Sequence, residues 1–120
     1  MWEGLKMQRI EQNIQRGIVN YLKWGGYLYC APDCGINVAS ERTRGILKAM
    51  GRVAGVPDIL VFVPGKVIGL EVKRPSIKGI CTKGIASAEQ KEFGKRLQEL
   101  GHEYHIVYSV EDVANVLKGY

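Results

Sequence analysis

Two acidic residues and a lysine fall on a pair of predicted strands in the middle of the chain. Residues i and i+2 of a strand point to the same face of a sheet, so Glu71 and Lys73 share one surface. The turn between the strands is predicted at Pro64-Gly65. In a hairpin with that turn, facing residue numbers sum to 129, which places Asp58 opposite Glu71. The sequence therefore predicts two facing carboxylates with an ammonium group beside them.

Two carboxylates that face each other repel unless a positive charge lies between them. Hard oxygen ligands favour Mg²⁺, with Mn²⁺ as a substitute, and such ions activate water for phosphodiester hydrolysis. We therefore expect a metal site at Asp58 and Glu71, with Lys73 adding positive charge to the transition state. The alternative is an ordinary surface ion pair between Glu71 and Lys73.

Glu11 lies on a predicted amphipathic helix, between Ile18 and Leu22 on the helical wheel. A carboxylate on a core-facing stripe needs a cation or hydrogen-bond donors, because an unpaired buried charge costs several kcal/mol. We expect Glu11 to contribute to the same site. The alternative is a solvated glutamate at the edge of the apolar stripe.

Gln90 permits two interpretations. The segment from Ser87 to Gln90 matches the capping box, in which the glutamine side chain accepts from the backbone of the capping residue. Gln90 also begins the apolar stripe of Phe93, Leu97 and Leu100, which places it toward the sheet and toward a site there. The residues alone leave both interpretations open.

Positive charge is concentrated in the middle of the chain. From Arg42 to Lys83 there are nine basic residues and two acidic ones, a net +7 within a total of +5. Such a concentration is typical of a nucleic-acid-binding surface, and a solvated basic face is the alternative. The residues expected to bind nucleic acid are Arg42, Arg44, Lys48, Arg52, Arg74, Lys78 and Lys83.

Hydrophobic periodicity and turn residues predict the elements that position these groups. The predicted helices are residues 3–24, 87–100 and 110–118, the last with Ser109 as its N-cap. The predicted strands are residues 27–31, 36–40, 58–63, 67–73 and 103–108. Residues 41–55 are expected to be partly irregular, and 75–86 to form a loop. This order predicts an α/β or α+β fold with a mixed sheet.

The 120 residues and 13.4 kDa suit one domain, residues 1–120, with one core. Three cysteines are an odd number, and no secretion signal or apolar stretch long enough for a membrane helix is present, so we expect a reduced, cytoplasmic protein.

Gly55-Val56-Pro57-Asp58, Glu71-Val72-Lys73 and Gln90, in this order and spacing, resemble the motifs of the PD-(D/E)XK nuclease superfamily. The chain is most similar to the stand-alone, virus-type VRR-NUC domain. The resemblance implies a restriction-endonuclease-like core, a central mixed sheet flanked by helices. It also implies that Asp58, Glu71 and the Val72 carbonyl bind the metal and that Glu11 is a direct or outer ligand. Lys73 would position or activate the water, and Gln90 would orient it.

The expected function is that of a Mg²⁺-dependent DNA endonuclease acting on branched DNA such as four-way (Holliday) junctions, in a bacterium or phage-infected cell. Paired cuts on a two-fold symmetric substrate favour a C₂ homodimer, with Trp24 and residues 27–29 as a candidate interface. Residues 27–29 also suit a core strand. A catalytically silent DNA-binding or assembly subunit and a monomeric nuclease for flaps or single strands are the alternatives.

Overall fold

The computed structural model describes residues 2–33 and 40–120, and in this part of the chain helices flank a four-stranded sheet. The helices are α1 (Trp2–Trp24), α2 (Glu41–Ala49), α3 (Ala88–Glu99) and α4 (Val110–Val116). The strands are β1 (Leu28–Cys30), β2 (Ile59–Val63), β3 (Lys66–Val72) and β4 (Glu103–Val107). The sheet order is β1-β2-β3-β4, with β3 and β4 parallel and the other pairs antiparallel. The predicted mixed sheet is confirmed.

The hairpin of β2 and β3 has the predicted register. Ile59 pairs with Leu70 and Val63 with Lys66, so facing residue numbers sum to 129. The turn closes at Gly65, whose φ of 81° lies in the left-handed region that glycine adopts without strain. Every residue of β3 from Ile68 to Val72 is buried, as its continuous apolar sequence predicts for a central strand.

One face of the sheet packs against α1 and α4. Ile18 and Leu22 of α1 are fully buried against Ile68 and Leu70 of β3, and Val113 of α4 belongs to the same core. Burial of each large apolar side chain contributes about 2 kcal/mol before the cost of cavities and entropy. The periodic apolar residues of the first helix therefore form the main core, as predicted.

The other face of β3 lies toward α3. A Cβ atom on Gly69 would meet the Leu97 side chain at 3.0 Å, and one on Gly94 of α3 would lie 2.4 Å from the Tyr104 ring of β4. The Gly94 position must therefore lack a side chain for α3 to approach β4. This close approach brings the first turn of α3 toward β3, where Glu71 lies.

Residues 41–55 differ from the expectation of a partly irregular segment. Residues 41–49 form α2, and Ser40 caps it by accepting a hydrogen bond from the Thr43 amide at 3.1 Å. None of the residues of α2 is buried, so no core-facing stripe predicted it. The predicted strand 36–40 lies outside the described residues except for Ser40. None of the described helices combines the length and apolarity needed to cross a membrane.

Candidate active site

Glu71 is the buried acid of the structure. Its side chain is 1% exposed, and Oε2 accepts a hydrogen bond from Gln90 Nε2 at 3.1 Å. Oε1 is buried and has no hydrogen-bond partner among the described residues. Burial raises the pKa of Glu71 to about 9, and the neighbouring Asp58 carboxylate acts in the same direction. Such a carboxyl group is either protonated or bound to a cation.

Asp58 lies one residue before β2, where the hairpin register of Ile59 with Leu70, continued by one residue, places it beside Glu71. Its Oδ2 accepts a hydrogen bond from the Val72 amide at 2.8 Å, which attaches the acid to the end of β3. Asp58 raises the pKa of Glu71, as expected of a neighbouring carboxylate. The two acids are therefore brought together as the hairpin register predicted.

The chain before Asp58 packs on the first turn of α3. Gly55 has φ of 85°, and a Cβ atom there would lie 2.3 Å from the Glu89 carbonyl oxygen. A side chain at this position is therefore excluded by both space and backbone conformation. Gly55 therefore allows the loop that leads to Asp58 to pack on the helix that also contacts Glu71.

Lys73 follows β3 on the Glu71 face, and its amide continues the parallel ladder by donating to Val107 O at 3.0 Å. Its positive charge lowers the pKa of Glu71, against the larger effects of burial and Asp58. Gly84 packs over Lys73, because a Cβ atom on Gly84 would lie 3.3 Å from Lys73 Cβ. An acid and an ammonium group thus share one face, as alternation along the strand predicted.

Glu11 approaches the site from α1. Its Oε1 accepts from the Arg74 amide at 3.4 Å and from Arg74 Nη1 at 3.5 Å, and its side chain is 30% exposed. Glu11 also lines a cavity of about 250 Å³ together with Asp58 and Val72. Glu11 therefore faces the predicted site. Its charge is balanced by Arg74, and its side chain is partly exposed and not enclosed in the core.

Both interpretations of Gln90 are correct. Its Oε1 accepts from the Ser87 amide at 2.8 Å, and its own amide donates to Ser87 Oγ at 3.2 Å, which completes the capping box. Its Nε2 meanwhile donates to Glu71. One side chain therefore caps α3 and fixes the orientation of the buried acid.

The donor set fits a divalent cation that takes oxygen ligands. Within residues 2–33 and 40–120, no three His, Cys, Asp or Glu side chains are close enough to form a metal site by themselves. Asp58 and Glu71 are two carboxylates, and the Val72 carbonyl at the same strand end is a candidate third ligand. The unpartnered Glu71 Oε1 is the observation that favours a cation. Glu11, held by Arg74, suits an outer position.

No protein-family model matches the sequence, and no curated protein matches it either. A solved structure described as a VRR_NUC domain protein is similar in fold, with a TM-score of 0.63 and 18% sequence identity. The similarity covers 92% of this chain and 86% of that one. This chain has the VRR-NUC fold. At this identity the likeness concerns the fold alone.

The VRR-NUC fold places the predicted nucleic-acid-binding residues in several environments. Arg42, Arg44 and Lys48 lie on the exposed surface of α2, and Lys78 is exposed in the loop before α3. Arg52 pairs with Asp33 at 3.4 Å, Arg74 pairs with Glu11, and Lys83 lies 4.4 Å from the centre of the Tyr108 ring. Their role in binding nucleic acid stays a prediction.

The residues of the candidate dimer interface fall into two groups, because side chains along β1 alternate between the core and the surface. Tyr27 and Tyr29 pack against the core, whereas Trp24 and Leu28 are 87% and 70% exposed. Leu28 pairs with Phe62, which is also exposed, so an apolar patch forms where β1 ends the sheet. The core interpretation holds for the two tyrosines, and the interface stays a prediction for Trp24 and Leu28.

Tyr104 is a neighbour of the site that the sequence did not indicate. Its hydroxyl is buried without a hydrogen-bond partner among the described residues. Burial raises the pKa of Tyr104 to about 12, and the charges of Glu71 and Asp58 act in the same direction. Only the parallel pairing of β4 with β3 brings Tyr104 to this face, and nothing local in the sequence specifies that pairing.

Proposed function

We propose that this protein is a Mg²⁺-dependent DNA endonuclease, with Mn²⁺ as a substitute metal. The observation that most supports this is Glu71, a fully buried acid with one unpartnered oxygen beside a second acid and a lysine. Glu71 and Lys73 do not form a surface ion pair, because Glu71 is 1% exposed. A buried acid beside a second acid is costly for a purely structural role, and it suits the binding of a cation.

Asp58, Glu71 and the Val72 carbonyl would hold the metal, with Glu11 as an outer ligand. A bound divalent cation would supply a water of lowered pKa and would neutralise charge that develops on the scissile phosphate. The residues themselves keep the ligands in place. Val72 NH holds Asp58, Gln90 holds Glu71, and burial keeps bulk water away from Glu71.

Lys73 is assigned the role of positioning or activating the attacking water and stabilising the transition state. Its ammonium group lies on the Glu71 face and is the positive charge closest in sequence to the metal ligands. Positive charge fixed before reaction stabilises a phosphorane-like transition state without a further cost of reorganisation. Gln90 would orient the same water through its hold on Glu71. No nucleophilic side chain is required.

The proposed substrate is branched DNA such as a four-way junction, and the proposed assembly is a C₂ homodimer. One metal site cuts one strand at a time, so symmetric cuts on a junction require two subunits related by a two-fold axis. The exposed Trp24 and the patch of Leu28 and Phe62 would supply apolar surface for that interface. The exposed cations of α2 would contact phosphates without distinguishing base sequence.

The test is cleavage of labelled junction, flap, duplex and single-stranded DNA in Mg²⁺, Mn²⁺ or EDTA, with sedimentation at micromolar concentration. We expect a dimer that makes paired, metal-dependent cuts in the junction. A metal-dependent monomer that prefers flaps or single strands would reject the junction and retain the nuclease. Binding without cleavage of any DNA in either metal would identify a catalytically silent subunit.

A further inference from the structure

A groove runs along α1 away from Asp58. Its α1 wall is made of Gln12, Gln15, Arg16, Val19, Asn20 and Lys23, and its volume is about 660 Å³. Ala31, Asp33 and Asp58 complete the lining. The groove joins the smaller cavity at Glu11 through the shared residues Gln12, Gln15 and Asp58. A molecule lying along α1 therefore reaches the proposed metal site without leaving the surface.

The lining of the groove suits the backbone of a nucleic-acid strand. Arg16 and Lys23 are exposed and have no ion-pair partner in the part of the chain that the structure describes. Asp33 is neutralised by Arg52. The side-chain amides of Gln12, Gln15 and Asn20 donate and accept hydrogen bonds and suit phosphate, sugar or base edges alike.

The dimensions of the groove distinguish one strand from a duplex. Gln12 and Lys23 are separated by roughly 16 Å at the helical rise of 1.5 Å per residue. Over that length a volume of about 660 Å³ has room for one strand, whereas a duplex, whose major groove alone is ~12 Å wide, is too broad to enter. At about 3.4 Å per stacked nucleotide, the groove accommodates roughly five nucleotides.

We infer that this groove holds about five unpaired nucleotides of the strand whose phosphate is presented to Asp58 and Glu71. The inference rests on the proposed nuclease function and narrows its substrate class. The preferred DNA has an unpaired strand on one side of the cleaved bond; a flap supplies it directly, whereas a four-way junction, whose bases are all paired, supplies it only when base pairs open at the branch. Arg16 and Lys23 lie outside the basic segment of residues 42–83, so the groove is a second phosphate-binding surface.

The test compares two double variants with equal loss of charge. Arg16→Gln/Lys23→Gln removes the cations of the groove, whereas Lys95→Gln/Lys118→Gln removes two exposed cations elsewhere. Both are made in a Lys73→Ala background, and binding to a labelled duplex with a five-nucleotide flap is measured by fluorescence anisotropy across salt concentrations. The fully paired duplex is the reference ligand, and thermal melting checks that each variant folds.

We expect the groove variant to bind the flap about tenfold more weakly, with the slope of log K against log salt reduced by about 1.4, or 0.7 for each lost single-strand contact. Its affinity for the paired duplex, and both affinities of the control variant, should be unchanged. Equal losses for flap and duplex, or no loss for the flap, would overturn the inference.

Photo-crosslinking gives a second measurement that does not depend on a charge change. A photoreactive benzoylphenylalanine replaces Asn20, and the same group at Lys118 is the control. The expected crosslinks lie about three or four nucleotides from the cleaved bond, at the rise of α1 and the spacing of a stacked strand. Crosslinks only to paired nucleotides, or equal crosslinking from both positions, would contradict the groove.

Cleavage by the wild-type protein is measured separately, so the two hypotheses fail in different ways. If the groove variant loses flap binding and the wild type cuts no DNA, the groove inference holds and the nuclease proposal fails. If the wild type cuts and the groove variant binds the flap as tightly as its Lys73→Ala parent, the nuclease proposal holds and the groove inference fails. Absence of both binding and cleavage rejects both.

Discussion

Glu71 and Glu103 lie on neighbouring parallel strands and differ in almost every respect. Glu103 faces Ile68 at the start of β3, whereas Glu71 lies near its end, beside Ile106 of β4. Hydrogen bonds from Tyr120 and His105, then from Lys66, lower the pKa of Glu103 to about 2. Glu71 has one donor, Gln90, and burial raises its pKa to about 9.

The difference separates an acid whose hydrogen-bond donors all lie within the described chain from one that keeps an oxygen without a partner. Glu103 finds all its donors within the chain, so it links β4 to the hairpin and to the C-terminal residue without any ligand. Glu71 is more buried and has fewer donors, with one oxygen left without a partner. Burying a carboxylate with too few hydrogen-bond donors costs free energy, and a bound cation would offset that cost.

The largest expected effect is that of Glu71→Ala. Loss of a metal-binding carboxylate should reduce cleavage by about 10³-fold or more and should abolish Mn²⁺ binding in calorimetry. Glu103→Ala is the matched control, because it removes the same side chain at the other end of the parallel pair. If Mg²⁺-dependent cleavage survives Glu71→Ala, Glu71 is not the essential metal ligand and does not differ from Glu103 in function.

Lys73→Ala should separate chemistry from metal binding. Removing the ammonium group takes positive charge from the transition state, and we expect cleavage to fall about 10²–10³-fold. Mn²⁺ affinity should be retained or slightly increased, since a cation has left the neighbourhood of the metal. Equal losses of activity and of Mn²⁺ binding would show that Lys73 maintains the site and has no role in the reaction.

The third prediction concerns pH. The pKa of Glu71 is raised on folding, so the folded metal-free protein binds a proton that the unfolded chain releases near its ordinary pKa of 4.5. This stabilisation is fully present below about pH 4.5 and is lost as pH rises toward about 9. Metal must displace the same proton, so Mn²⁺ affinity should rise with pH, by up to about tenfold per unit.

Urea unfolding and calorimetry between pH 5 and 9, in the wild type and in Glu71→Gln, check this prediction. The glutamine variant cannot titrate at this position, so the decline of its stability with pH should be smaller. Wild-type Mn²⁺ affinity that is independent of pH would show that Glu71 is already ionised in the metal-free protein.

The smallest expected effect is that of Tyr120→Phe, which removes one donor from Glu103 and keeps the backbone carbonyl that accepts from Tyr27. Because Tyr120 is partly exposed, we expect a loss of about 0.5 kcal/mol in the free energy of unfolding. Cleavage should be unchanged. A large loss of activity would mean that the Glu103 cluster also supports the site.

Features fixed by neighbouring residues could be predicted from the sequence. The turn at Pro64-Gly65 set the hairpin register, and that register alone paired Asp58 with Glu71. Helical periodicity placed Glu11, and the capping pattern placed Gln90. The sequence did not indicate α2, which is held by a cap and buries no residue. The placement of Tyr104 and the cluster at Glu103 also escaped prediction, because both depend on contacts between distant segments.

The close approach of Gly55 to the first turn of α3 has a consequence for the motion of the site. The loop that ends in Asp58 rests on the backbone of Glu89 and Gln90, and the Gln90 side chain holds Glu71. The positions of both acids therefore depend on the first turn of α3. A shift of α3 would therefore move the two carboxylates together, and the gap between them would change less than the position of either. A larger residue at position 55 would uncouple them, and the two acids would fluctuate independently.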